Sequence, residues 1–290
     1  MDNLKGMAWM TLAMLGFALA DMSIKILSRD LPVGQIIFLL GIAGAMGFGI
    51  WARAQGHRLV TPVLLSRPVI LRNAAEMLAT VGFISALALI PLSTLSAVIQ
   101  ANPLLVTLGA ALFLGERVGW RRWTAIFVGL AGVLVIIRPG TMAFEPSILL
   151  AVVAVIGLSL RDLATRPVPK TVPTAVLSAY SFAAAALAGL LITPFFGSFV
   201  AVETGWLGWL GFGAVMNMVA IFAITAAMRV GEIAVVTPFR YTRLVFALVI
   251  AVLVFGERPD AFTLIGAAIV VASGLYTFWR EAKLRRRAAA

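Results

Sequence analysis

Leu112-Phe113-Leu114-Gly115-Glu116-Arg117 is answered, 141 positions later, by Leu253-Val254-Phe255-Gly256-Glu257-Arg258. The same ungapped offset carries Gly16, Leu19 and Asp21 onto Gly157, Leu160 and Asp162, Lys25 onto Arg166, Pro32 onto Pro173 and Ala86 onto Ala227. One offset that aligns landmarks of such different chemistry reads as an internal duplication, and a repeat has to be settled before any other feature is interpreted. The units expected are residues 1–141 and 142–290.

The repeated unit is too apolar for water. Hydrophobic residues make up 62% of the chain, charged residues 12%, and the mean hydropathy is +1.04. Soluble domains use about 45–50% apolar residues, so the surplus has to face lipid. Apolar spans run over 7–27, 33–52, 69–90, 93–114, 123–138, 147–165, 173–196, 206–228, 232–255 and 261–279. Most reach the roughly 17–25 residues that cross a bilayer as a helix, and the ten-residue alternating segments of a β-barrel are absent from the pattern. The fifth span is the shortest, its charge-free core running from Trp123 to Ile137. The first, with Lys5 ahead of it and Ala18-Leu19-Ala20 within it, has the outline of a cleavable leader. Its landmarks recur at 157, 160 and 162, so it is expected to be retained.

Basic residues then orient the spans. With the N-terminus in the cytoplasm, seventeen Lys and Arg fall on that side and only Arg29, Arg138 and Arg258 on the other; Lys25, Arg240 and Arg243 remain within spans. That bias places both termini in the cytoplasm. Five spans per unit is an odd number, so the second copy enters the membrane upside down relative to the first. Inverted repeats of this kind recur in secondary transporters. The net charge of +11 is explained by topology and lipid headgroups, with no nucleic-acid partner required.

Ten spans in two units of five, each closing its fourth span on Gly-Glu-Arg and continuing into a Gly/Ala-rich fifth, resemble the EamA family of the drug/metabolite transporter superfamily. The resemblance covers nearly the whole chain. It implies an all-α integral membrane fold of ten transmembrane helices in two inverted five-helix repeats. It also implies alternating access, bacterial inner-membrane residence and a central cavity lined by the fourth and ninth helices. The cargo it implies is a small polar or zwitterionic metabolite, such as an amino acid, S-adenosylmethionine or a vitamin.

The candidate site residues come from ionisable and polar groups inside spans, which are costly in lipid and mark pathways or internal pairs. Arg240 and Arg243 lie three apart in the ninth span, roughly 12–16 Å from Glu232 at 1.5 Å per residue. Spaced so, they are read as one helix face offering a cationic clamp to a carboxylate or phosphate, with pairing to Asp162, Glu76 or Asp21 as the structural alternative. Tyr241 lies between them. The repeat sets Ile99 against Arg240, Gln100 against Tyr241 and Asn102 against Arg243, so the fourth span is polar at matching positions. Pro103 and Pro238 each remove one intrahelical hydrogen bond and are read as kinks.

Glu76 in the third span matches Asn217 in the eighth. Glu76 is either a proton-coupling carboxylate or ligand for a substrate amine, or the i, i+4 partner of Arg72. Asp21–Lys25 and Asp162–Arg166 are i, i+4 pairs that recur between copies; they read as structural pairs, or as gates at opposite faces. Gly41, Ala45 and Gly49 form a small-residue stripe suited to close helix contact. With no cysteine, His57 as the one histidine and no glycine-rich phosphate loop, no metal, cofactor or ATP-driven step is expected. Two other classes compete with a transporter: a non-transporting membrane subunit, and a membrane enzyme on a lipid-linked substrate. The enzyme would need a catalytic constellation that Glu76 and His57 do not form.

The charge count makes a direct prediction about topology. A reporter fused after Ala290 is active when it is of the cytoplasmic type and silent when it needs the periplasm; the opposite pattern overturns the inverted repeat.

Overall fold

The computed structural model describes residues 2–116, 119–169 and 171–289, so Arg117 and Lys170, counted above among the basic residues, lie outside it. Among the described residues all regular structure is helical. The helices are α1 (Asn3–Leu27), α2 (Val33–Ala54), α3 (Arg67–Leu89), α4 (Leu92–Ile99), α5 (Asn102–Phe113), α6 (Trp120–Ile137), α7 (Ile148–Thr165), α8 (Thr174–Phe196), α9 (Thr204–Val230), α10 (Ile233–Val236), α11 (Thr242–Leu253) and α12 (Ala261–Ala289). Short 3-10 segments cover Pro62–Leu65 and Thr237–Tyr241.

Nine stretches of the described residues are long and apolar enough to cross a membrane, with α4 and α5 together making the fourth. The expected ninth span is divided among α10, a 3-10 segment and α11. Its apolar length is there, but not as one helix. The fifth span extends further toward its N-terminus than its charge-free core, because Trp120, Arg121 and Arg122 join α6.

Contacts divide the chain into two compact units, each assembled from both halves of the sequence. The first holds residues 1–18, 90–148 and 219–290; the second holds 19–89 and 149–218. In the second unit the closest pair is α2 with α8, and glycine makes that approach. A Cβ added at Gly41 would stand 2.5 Å from the backbone nitrogen of Ala186, and one at Gly189 would stand 2.5 Å from that of Phe38. In lipid, such backbone contact supplies the van der Waals attraction that apolar side chains gain no advantage from. Of the stripe read from sequence, Gly41 lies in this seam, whereas a Cβ at Gly49 would meet only Leu59, at 3.5 Å. Two connections are strapped down. The Gln35 amide donates to the Val200 carbonyl (2.7 Å) and accepts from its N–H (2.9 Å), while the Tyr180 hydroxyl donates to the Leu59 carbonyl.

The first unit repeats the glycine device between α6 and α12. A Cβ at Gly266 would lie 2.6 Å from the Gly132 carbonyl, and one at Gly132 would lie 3.0 Å from the Gly266 carbonyl. At one end of this pair Arg138, left-handed at φ 52° as the cap of α6, forms an ion pair with Asp260 and stacks 4.7 Å over Phe262. Asp260 also accepts from the Thr263 N–H (3.0 Å), capping α12. The Arg138 guanidinium, with help from Thr263, holds Asp260 at about 2, below its ordinary 3.8. A carboxylate lowered in this way stabilises the fold above its ordinary value and loses that contribution only as pH falls toward 2, so the clasp stays closed at neutral pH.

Both Gly-Glu-Arg turns end their helices alike. Gly115 and Gly256 take φ of +67° and +64°, and the N–H groups of Glu116 and Glu257 reach back to the carbonyls of Ala110 and Ala251. This six-to-one return is the Schellman ending, which needs a residue tolerant of the left-handed region.

The α2–α8 seam sets a test of packing. Gly41→Val forces a side chain into backbone that cannot yield and should cost about 1–3 kcal/mol, lowering the melting temperature in detergent. Gly208→Ala, where nothing lies within 4 Å of the added Cβ, should leave it unchanged.

Candidate substrate site

Two apolar spans of the first unit are interrupted. α4 ends at Ile99, and α5 restarts at Asn102 with Pro103 as its second residue. In the ninth span α10 lasts a single turn before the 3-10 segment, whose second residue is Pro238. The offset of 141 places Gln100 on Tyr241, so both interruptions fall at the same point of the repeat. Each proline lacks the N–H that would continue the ladder, and the backbone at both junctions stays right-handed, with Gln100 at φ −64° and Tyr241 at φ −70°.

A break in lipid leaves polar backbone that must be satisfied by protein. Gln100, itself buried, donates its amide to the Tyr241 carbonyl at 3.2 Å, so the two breaks meet. At its other end α4 is capped from the far part of the chain. Glu257 accepts from the Leu92 N–H (2.7 Å), the Ser93 N–H (3.0 Å) and the Ser93 hydroxyl (2.7 Å). A carboxylate there also complements the positive end of the helix.

Arg240 is the fourth residue of the 3-10 segment, which Tyr241 closes, and Arg243 is the second residue of α11, so they flank the junction and do not share one continuous α-helix. The Arg243 guanidinium carbon lies 5.2 Å over the Phe17 ring, a stacking that holds a cation beside an apolar surface. The Tyr241 ring meets Phe278 edge-on at 6.3 Å, with its hydroxyl against Gly274. The hydroxyls of Tyr241 and Thr237 are buried and make no hydrogen bond among the described residues. Asn102 is buried at the first turn of α5. The candidate groups in this unit are therefore two guanidiniums, one of them over an aromatic ring, and two buried hydroxyl groups.

The remaining candidates lie in the second unit. Glu76 does not take Arg72 as its ion-pair partner; it takes Arg161, at 3.3 Å. Arg161 also grips Asp162 through Nη2 (2.8 Å) and Nε (3.0 Å). Arg72 donates instead to Thr165 (3.1 Å), to the Leu177 carbonyl (3.2 Å), to Asn73 (3.4 Å) and to Ser181. Lys25 donates to the Leu87 carbonyl at 3.3 Å, and Asp21 is buried. Arg166 is exposed just beyond α7, and Asn217 is half-buried on α9. Sequence reasoning missed Glu257, Ser93 and Arg161. Glu257 stood out only as part of a turn, and Arg161 only as one of the basic residues that set topology.

Interrupted helices meeting through polar groups inside apolar spans are a feature of secondary transporters. Residues 4–138 and 145–279 each match the model of the EamA-like transporter family, and the chain belongs to that family. It is thus a small-molecule transporter of the drug/metabolite transporter superfamily. Among its relatives, the S-adenosylmethionine uptake transporter of Rickettsia felis is 26% identical, over 98% of this chain and 96% of that protein. The riboflavin transporter of Vibrio cholerae is 32% identical over 204 residues, 66% of this chain and 64% of that protein. A solved crystal structure matches in fold with a TM-score of 0.62 at 21% identity, covering 96% of this chain and 98% of that one.

The cap on α4 makes a measurable contribution to stability. Glu257→Ala should cost about 1–2 kcal/mol in thermal unfolding, as loss of an N-cap does. Ser93→Ala should add little in that background, because both changes remove one shared contact. Full additivity would show that Glu257 and Ser93 act separately.

Proposed function

We propose that the chain is an alternating-access secondary transporter of the bacterial inner membrane, with both termini cytoplasmic and residues 1–141 and 142–290 as inverted repeats. Its cargo is a small zwitterionic metabolite whose carboxylate is gripped by Arg240 and Arg243. Several observations support the repeat. The two family matches are offset by 141 residues, the breaks at Gln100 and Tyr241 coincide under that offset, and both Gly-Glu-Arg turns have the same ending.

The observation that carries the cargo reading is the pair of guanidiniums at a broken helix. Low dielectric strengthens their attraction for a carboxylate relative to water, and Arg is suited to a two-pronged hold. Phe17 and Tyr241 supply ring surface, Asn102 and the hydroxyl of Thr237 supply polar contacts, and Gln100 is a positioning residue that fixes the Tyr241 carbonyl. S-adenosylmethionine has the required carboxylate; riboflavin has none. The likeness to riboflavin transporters favours a second reading, in which a neutral ring system stacks on Phe17 and Tyr241 and the guanidiniums serve the fold.

Substitution separates the two readings. If the pair grips a carboxylate, Arg243→Gln or Arg240→Gln should weaken S-adenosylmethionine binding by roughly ten- to a hundredfold, the worth of a charge-assisted contact at about 1.5–3 kcal/mol. The melting temperature should hold, and Arg→Lys should restore part of the affinity. Equilibrium dialysis of purified protein beside thermal unfolding gives both values. Unchanged affinity with a large fall in melting temperature assigns the arginines to the fold.

A further inference from the structure

The second unit holds a charged cluster that the site above does not use. It joins α3, α7 and α8 through Arg72, Glu76, Arg161 and Asp162, and these four sum to zero charge. Its anchored parts are plain. Arg72 makes four hydrogen bonds, and Asp162 takes two N–H groups from Arg161 on a single oxygen. Glu76 is held far less firmly, by one contact of 3.3 Å through Oε2. Among the described residues no hydrogen bond to its other oxygen is found. The Glu76 and Arg161 side chains keep 17% and 25% of their surface open.

Depth and asymmetry point the same way. Arg72 is the sixth residue of α3, Arg161 the fifth from the end of α7 and Ser181 the eighth of α8, so all three lie toward one end of the unit. At 1.5 Å per residue these three sit roughly 6–11 Å from those helix ends and Glu76, the tenth residue of α3, roughly 14 Å. Under the offset of 141 the four residues map to Gly213, Asn217, Ala20 and Asp21, and only the aspartate recurs. A purely structural duty common to both copies would keep its guanidiniums in both. This one is built once.

We infer that Glu76 and Arg161 form an exchangeable ion pair that receives the ammonium and carboxylate of an α-amino-acid head group at one end of the second unit, separately from Arg240 and Arg243. The ammonium takes the place of Arg161 against Glu76, and the carboxylate takes the place of Glu76 against the freed N–H groups of Arg161. Asp162 keeps the guanidinium in position throughout. A zwitterion inserts without changing the net charge of the cluster, whereas a cation or an anion alone leaves one charge uncompensated in low dielectric. The inference rests on the reading that the cargo is zwitterionic.

The chain has no cysteine, so Asn73→Cys, one turn before Glu76, supplies a sole thiol. Its labelling by a maleimide is followed in purified protein with S-adenosylmethionine or decarboxylated S-adenosylmethionine as the probe. At ten times its dissociation constant S-adenosylmethionine, whose amino-acid head group is the zwitterion, should slow labelling about tenfold by occupancy, and the decarboxylated probe should not. With the probe raised to ten times the dissociation constant of each variant, protection should survive Arg243→Gln, vanish in Glu76→Gln and weaken in Glu76→Asp, which keeps the charge if the amide variant fails to fold. Protection lost in Arg243→Gln and kept in Glu76→Gln overturns the inference, as does binding by dialysis with no protection. No binding of the zwitterion by dialysis overturns the cargo reading together with this site.

Discussion

A helix that stops within a membrane leaves backbone groups that lipid cannot satisfy, and the first unit is arranged around that constraint. The Gln100 amide covers the Tyr241 carbonyl at 3.2 Å, and the Glu257 carboxylate covers the first N–H groups of α4. Each contact joins a residue of one half of the sequence to a break or an end in the other. The interruption puts Arg240 and Tyr241 on a 3-10 segment, and Arg243 in the first turn of the α-helix that follows. Irregular backbone is tolerated at membrane depth only where protein or an aqueous cavity surrounds it. The polar contacts at Gln100 and Glu257 are thus what lets these interruptions stand within apolar spans.

The two units handle charge differently. In the second, guanidiniums and carboxylates are interleaved on neighbouring helices, with hydroxyls and a helix carbonyl taking the remaining N–H groups. In the first, Arg243 lies over the Phe17 ring beside a helix junction. Glycine seams do the close packing in both, at Gly41 and Gly189 in one and at Gly132 and Gly266 in the other. Polar specificity and apolar adhesion are thereby carried by different helix pairs.

Much of this was legible before any coordinates. Span lengths follow from hydropathy, and the helix endings from Gly115 and Gly256, whose positive φ shows why glycine stands there. What sequence could not convey was which distant groups meet. Pro103 and Pro238 announce a missing donor but not the partner that replaces it, so they read as kinks. The i, i+4 rule offered Arg72 to Glu76 because it sees one helix, whereas Arg161 reaches Glu76 from a second helix 85 positions away. Glu257 resembled a surface residue, since a cap 164 positions from its helix has no local signature.

That last separation also has a cost in time. Chains are synthesised at about 5–20 residues per second, so α4 precedes its cap by roughly ten to thirty seconds. For that interval its first N–H groups must be held by water, headgroups or the insertion machinery. The first broken helix therefore cannot settle until nearly the whole protein has been made, and the last-made turn, at Gly256-Glu257-Arg258, closes it.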